Sequence, residues 1–378
     1  MATIINTRSP FYIQVSDESL FEAKLELYIY SGEKKSSPAA SDLEYTIQKA
    51  VIGSDNYIVF EISELVRDYI DVNFNQERTE DAYVARIEAD GGTFEQNSLL
   101  TQFSLDLDDD YSSSSVWVEA DIESYDSAGS LLKTEYFDYI AMDGYGYFEE
   151  GANPEPSRTL LQTNTDIYYL QGNAVQVPVF SEEVTSVKFY NDGSLHTTRT
   201  ISSSNNSSGQ ISYPSVTADT DKIEVISASG TETINAYPTS ECKYTPYRVT
   251  FVNKFGALQN IYFFKKSVQS INTKEDSYKA SVFNMFDLRY DLQQHQYQTF
   301  HKLGRESITM NTGFVSEEYN EVMKQMMLSE KVWIEDEGEI LPINVKSQSL
   351  TYKTSVNDKL INYSVQFDYS FDKINNIR

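Results

Sequence analysis

A two-residue periodicity limits what this chain can fold into more than any other feature of its sequence. Over residues 23–30, Ala23, Leu25, Leu27 and Ile29 alternate with Lys24, Glu26, Tyr28 and Tyr30. Successive side chains of a strand point to opposite faces, so this pattern reads as a half-buried β-strand. Comparable runs follow at Tyr57–Phe60, Tyr83–Ile87, Val116–Ile122 and Tyr136–Ile140, each bounded by Gly, Ser, Asn or Asp clusters. They continue at Val175–Val179, Ser186–Tyr190, Lys222–Ile226, Tyr247–Val252 and Gln259–Phe264. The last are Lys331–Ile334, Ile340–Val345, Ser349–Tyr352 and Ile361–Tyr369. With 28 Tyr, 20 Phe and 40% hydrophobic residues, the chain has ample material for cores and is not a disordered polymer. The fold class expected is mainly β: tandem β-sandwich domains followed by a C-terminal β domain that contains one amphipathic helix.

Two segments break the alternation. Ile62, Leu65, Val66, Tyr69 and Ile70 follow a 3.6-residue period after Ser63, which predicts a short helix near 63–70 with Ser63 as its N-cap. Tyr319, Val322, Met323, Met326 and Met327 do the same in 316–328, with Ser316 as the expected cap and Glu317 and Glu318 at the positive end of the dipole. Methionine adapts to irregular partner surfaces. An amphipathic helix between strands ordinarily covers its own sheet, and that is the expectation here. Asn191-Asp-Gly193 predicts a hairpin turn, and the Ser/Asn tract 201–209 predicts an exposed loop.

Proline and glycine mark two boundaries, at Glu149–Ser157 and at Tyr237–Pro246. They divide the chain into an acidic sandwich over 1–150, a small sandwich over 151–240, and a β domain over 241–378, each with its own core. Charge divides it at the same places. Residues 1–150 carry 31 acidic and 9 basic side chains, 151–240 carry 9 and 4, and 241–378 carry 17 of each. Copies brought together through the first part would repel, whereas the neutral last part avoids that cost. Residues 241–378 are therefore the expected assembly domain, with the acidic part turned outward or toward a basic partner.

A net charge of −27 argues against binding nucleic acid or an anionic membrane surface. No apolar run approaches the roughly 20 residues that span a bilayer, so no membrane insertion is expected. The opening Met-Ala-Thr-Ile-Ile-Asn-Thr-Arg lacks the pattern of a secretory signal, so export by that route is not expected either. Asp106, Asp108 and Asp110 occupy the first, third and fifth positions of a calcium loop and form a weak candidate site. Its sixth position is Tyr111 in place of Gly and its twelfth is Trp117 in place of Glu, so a solvated acidic loop is the default reading. Nucleotide-binding, zinc and serine-hydrolase motifs are missing from the sequence. His295 and His301 have no carboxylate or thiolate nearby in sequence, His196 sits beside a turn, and Cys242 is the single cysteine. The reading is of a protein that is not an enzyme and uses no cofactor.

Asn6–Ile13, the strand at Ala23–Tyr30 and the Phe60–Ile70 segment resemble the N-terminal region of structural proteins of tailed bacteriophages, particularly those infecting Bacteroidota and marine bacteria. Thr250–Ala257, Arg305–Gly313, the 316–328 helix, Leu341–Val345 and Asn357–Phe367 are similar to the C-terminal pattern of such proteins. The resemblance skips the middle segment and brings no catalytic residues. It implies assembly in the tail, baseplate or fibre-attachment region, with other virion proteins and copies of itself as partners. The implied location is the virion, after synthesis in the host cytoplasm. The competing reading is a cell-surface carbohydrate-binding protein whose Tyr and Trp stack on sugars. The lack of a lipidation cysteine near the N-terminus stands against it.

Overall fold

The computed structural model describes residues 3–32, 34–53, 55–70, 115–157, 159–201, 211–336, 339–347, 349, 351 and 360–374. The alternating segments build three large sheets, and the architecture is mainly β. The first sheet has the strand order Thr3–Asn6, Leu131–Met142, Val116–Tyr125, Glu22–Tyr30, Leu43–Ala50. Its neighbours are antiparallel except Thr3–Asn6, which runs parallel to Leu131–Met142. A two-stranded ladder, Tyr12–Ser16 with Tyr57–Glu61, lies over one face. Leu25, Leu27, Val118 and Ile122 from the sheet meet Ile13, Val15, Ile58 and Phe60 from the ladder to make the core. The short helix is Ser63–Arg67, three residues shorter than expected, and its N-cap is Ile62. Ser63 does not cap because the Glu61 carboxylate takes both its amide and its hydroxyl. The candidate calcium positions Asp106, Asp108 and Asp110 lie outside the described residues, as does the strand expected at Tyr83–Ile87.

The middle sheet has the order Ser194–Thr200, Val184–Asn191, Lys222–Ser227, Gly230–Thr239, Asp166–Leu170. The expected hairpin is present: Asp192 (φ 49°) and Gly193 (φ 72°) are both left-handed, as the tight turn between twisted strands requires. The expected strand at Val175–Val179 is cut in two by Pro178, and its halves join separate short ladders. Tyr237 and Pro238, read from sequence as the start of a boundary, lie inside a strand.

The last sheet has seven strands, in the order Leu258–Phe263, Tyr247–Val252, Val332–Asp336, Glu339–Val345, Ser364–Tyr369, Tyr297–Asn311, Val268–Lys279. The long helix, Tyr319–Leu328, lies on it, with Tyr319, Val322, Met323 and Met326 buried against Phe251, Phe263 and Phe367. The methionine face thus belongs to the protein's own core. Ser316 is not the cap; it pairs with Leu360 in a short ladder, and the helix starts at Tyr319. The strand expected over 361–369 breaks after Ile361, where the backbone of Tyr363 instead exchanges hydrogen bonds with Thr312. Ser349 and Thr351 lie outside any strand, and residues 350 and 352 outside the described residues.

The sequence suggested three separate cores, but a further cluster is shared by all three segments. Trp117, Ile140 and Met142 from the first sheet meet Leu161, Phe180 and Tyr213 from the middle segment and Val252, Phe255 and Leu258 from the last. Close backbone approach completes this joint. A Cβ on Gly144 would lie 2.9 Å from the Lys254 carbonyl oxygen, and one on Gly256 (φ +78°) would lie 2.8 Å from the Asp143 nitrogen. The Tyr145 amide donates to Lys254 at 2.8 Å across the same seam. The long helix adds further ties: Arg8 donates to the Leu328 carbonyl at 3.0 Å, and Gln325 accepts from the Lys254 amide at 3.2 Å.

Residues 149–157 are fastened rather than free. Asn153 adopts φ 53°, a conformation asparagine tolerates, and its side chain exchanges two hydrogen bonds with the Tyr12 backbone at 2.7 and 2.8 Å. Its own amide donates to Pro10 at 3.0 Å, and Asn6 holds the Pro154 carbonyl at 3.1 Å.

Candidate functional site: an exposed arm and an acidic face

Two strands of the last sheet run on past it. Val268–Lys279 pairs with Tyr297–Asn311 from Val268 opposite Thr309 to Lys279 opposite Tyr297. Among the described residues, only Ser307–Asn311 is paired with a second strand, Ser364–Tyr369. The ten residues from Tyr297 to Glu306 therefore form one strand of a two-stranded arm, which at the usual rise is roughly 30 Å long. A smaller ladder, Phe283–Asn284 with Arg289–Tyr290, lies at its tip. Every residue of Val268–Lys279 is exposed, and among the described residues no strand lies beside its outer backbone edge. Such an edge is a template for pairing with another chain.

The arm carries large apolar side chains that are left exposed among the described residues. Phe286 is 98% exposed, Leu292 94% and Met285 82%. Tyr278 and Phe300 lie with their rings 6.2 Å apart, and Phe283 and Tyr290 5.6 Å apart. An ion pair between Glu275 and Lys302 and a hydrogen bond between His301 and Asp276, both 3.3 Å, staple the two strands. No alternation in the sequence marks a strand between 265 and 304. The reason is visible in the ladder: Val268 and Tyr278 lie on one face and Ile271 on the other, so no apolar side exists to alternate. The signal that remained was a run of aromatic residues without a period.

The second feature is the outer face of the first sheet. At one end Tyr30, Trp117 and Ile140 enter the joint. Beyond them the same face turns acidic. Glu26 stands directly opposite Asp121, and Glu119 opposite Asp138. Like charges at these positions destabilise a sheet. Partial burial, and then the neighbouring Glu119, Glu26, Asp138 and Glu123, push the Asp121 carboxyl above the usual carboxylate range. Lys24 bonds Glu26 and Lys34 reaches Asp138 at 2.6 Å. Tyrosine hydroxyls supply the other partners: Tyr30 donates to Glu119 at 2.6 Å and Tyr125 to Glu123 at 2.6 Å. Tyr136, between the acids, is 73% exposed.

The residues singled out for chemistry do not converge. His301 meets Asp276 across the arm, a partner 25 residues away that sequence proximity could not reveal. His295 is exposed nearby on the arm, His196 is the extra residue of a bulge in the middle sheet, and Cys242 is free and exposed. Among the described residues no group of three or more His, Cys, Asp or Glu could hold a metal ion. No described helix is long and apolar enough to cross a membrane. A cavity of ≈ 20 Å³ lies between the middle and last sheets, lined by Gln162, Asn164, Gln176 and Gln259 among others. Both amide atoms of Gln176 lack a hydrogen-bond partner among the described residues. That volume holds about one water molecule, well below the roughly 300 Å³ of a ligand pocket.

No family model matches the chain, and no curated protein does. A solved structure of the surface layer protein SbsC, domains 4-9, is similar over 61% of this chain at 11% identity and a TM-score of 0.18. The chain spans 42% of that structure's length.

Proposed function

We propose that the chain is a structural subunit of a tailed bacteriophage virion, acting in the tail, baseplate or fibre-attachment region through protein–protein assembly and without catalysis. The observation that carries the assembly part is the arm, with an open strand edge and apolar side chains fully exposed to water. Contiguous exposed apolar surface on a folded chain marks an interaction site. The neutral charge balance of residues 241–378 supports the same reading, because like-charge repulsion is least there. The virion part rests on the sequence resemblance of both ends of the chain.

A shortened arm tests assembly. Glu275 and Lys302 face each other in the ladder, so replacing residues 276–301 by Asn-Gly closes a two-residue hairpin without moving the base. The full chain is expected to form larger species in sedimentation and electron microscopy as concentration rises, and the shortened chain to remain monomeric. Equal behaviour of the two sinks the assembly reading. Saccharide binding by a monomer that never assembles would favour the carbohydrate-binding alternative. Terminase, portal or tail-tube genes are the expected genomic neighbours, and polysaccharide-utilisation genes in that position would count against the virion.

A further inference from the structure

A chain with a net charge of −27 repels its own copies at long range, so a contact between copies has to bring opposite charges together locally. The arm offers cations. Residues 266–305 hold six basic and four acidic side chains. Glu275 pairs with Lys302, Asp276 with His301, and Arg305 with Asp372. Lys266, Lys274, Lys279 and Arg289 have no carboxylate partner among the described residues.

The outer face of the first sheet is its counterpart. It sets Glu26 against Asp121 and Glu119 against Asp138, with Lys24 and Lys34 as the cations in reach. One end of this face is closed by the joint; toward the acidic end Glu26, Glu119, Asp121 and Glu123 are half-buried, and Asp138 and Tyr136 are exposed. Tyr136 stands among the acids and offers a ring to the exposed aromatic side chains of the arm.

We infer that the arm of one copy docks on the acidic outer face of the first sheet of a neighbouring copy, an inference that rests on the assembly reading above. Two different surfaces meet, so the contact is head to tail and generates a closed ring or a filament. The cations of the arm relieve carboxylates that repel one another in the free subunit, and the apolar tip leaves water at the same time.

Charge exchange in the full-length chain tests this. One variant reverses the arm (Lys274→Glu, Lys279→Glu, Arg289→Glu), a second reverses the face (Glu119→Lys, Asp121→Lys, Glu123→Lys), and a third carries both sets. Asp121→Asn with Glu123→Gln is the milder face variant, in case full reversal disturbs folding. Either reversal alone is expected to weaken association about tenfold or more, and the combination to recover most of that loss. Arm reversal that weakens association while both face variants leave it unchanged places the docking site elsewhere. A combined variant no better than the single sets does the same. In both cases this inference falls and arm-driven assembly stands. If the arm can be removed without effect, or the full chain stays monomeric up to about 1 mM, assembly through the arm falls with it.

Discussion

The joint and the arm are built from the same kinds of residue and use them in opposite ways. At the joint, Trp117 is 4% exposed and Phe255 8%, each covered by residues from other segments of the chain. On the arm, Phe286 and Leu292 are almost wholly in water. Polar groups differ in the same sense. Asn253 at the joint uses both ends of its amide: Nδ2 donates to the Leu161 carbonyl at 2.7 Å and to Gln259 Oε1 at 3.2 Å, and Oδ1 accepts from the backbone of Phe255 at 3.0 Å and Ala257 at 3.2 Å. Toward the tip, the arm's hydrogen bonds among the described residues stay within its own ladder and turns, whereas at its base Gly304 and Glu306 accept from Lys373. Apolar content therefore does not decide what a segment does. The difference lies in whether described residues of the same chain cover the apolar side chains: at the joint they do, and at the tip of the arm they do not.

The largest expected effect comes from breaking the joint. Gly256→Ala forces a left-handed conformation on alanine and drives its Cβ to 2.8–2.9 Å from the backbone of Asp143. A loss of about 3 kcal/mol or more is expected. Gly53 has a similar φ of +73° with nothing within 4 Å of the same Cβ, so Gly53→Ala isolates the conformational cost, about 1–2 kcal/mol. The chain has 2 tryptophans, and Trp117 and Trp333 both contact the shared cluster. Denaturation followed by tryptophan fluorescence therefore reports on the joint. Equal losses for the two glycine variants would show that the seam yields, and that the segments are less firmly joined than the contacts imply.

Proteolysis sharpens the comparison on the backbone. Phe148 and Phe286 are both 98% exposed, so a chymotrypsin-like protease meets two equally accessible side chains. Phe148 precedes the stretch held by Asn153 and Pro154, whereas Phe286 lies in the turn at the tip of the arm. The first cut in the dilute chain is expected at the arm, roughly tenfold faster than near residue 148. A first cut at 148–157 would mean that this stretch is the free linker its prolines suggest.

That contrast also shows what local sequence can and cannot convey. Alternation at Ala23–Tyr30 and the Asn-Asp-Gly turn are local signals, and both structures follow from them. Glycine and proline at 149–157 correctly mark a break in regular structure, but a break is not freedom, and the bonds of Asn153 to Tyr12 span 141 residues. The shared cluster was hidden for the same reason, since Trp117 and Ile140 fall on the face that alternation assigns to solvent. Both expected serine caps failed because a nearer partner competed, a carboxylate for Ser63 and a ladder for Ser316. The arm escaped notice because a segment exposed on both faces has no period to read.

The smallest expected effect tests the surface that the arm would meet. Asp121 faces Glu26 across the ladder, and the shift of its carboxyl above the usual value of 3.8 means that the folded chain holds this proton more tightly than the unfolded chain does. Ionisation of Asp121 therefore costs stability. The cost is absent well below pH 3.8, grows as pH rises through the raised pKa, and is constant above it. Asparagine keeps the shape and removes the charge, so Asp121→Asn should be more stable by about 0.5 kcal/mol at neutral pH, the scale of one like-charge cross-strand pair. The gain should vanish in acid. Denaturant midpoints at the two pH values check it, and a variant less stable at neutral pH would show that the carboxylate has a favourable partner within the subunit. If the stability gain is accompanied by weaker association, then Asp121 is kept ionised at a cost to the free subunit that contact with a neighbour's arm offsets.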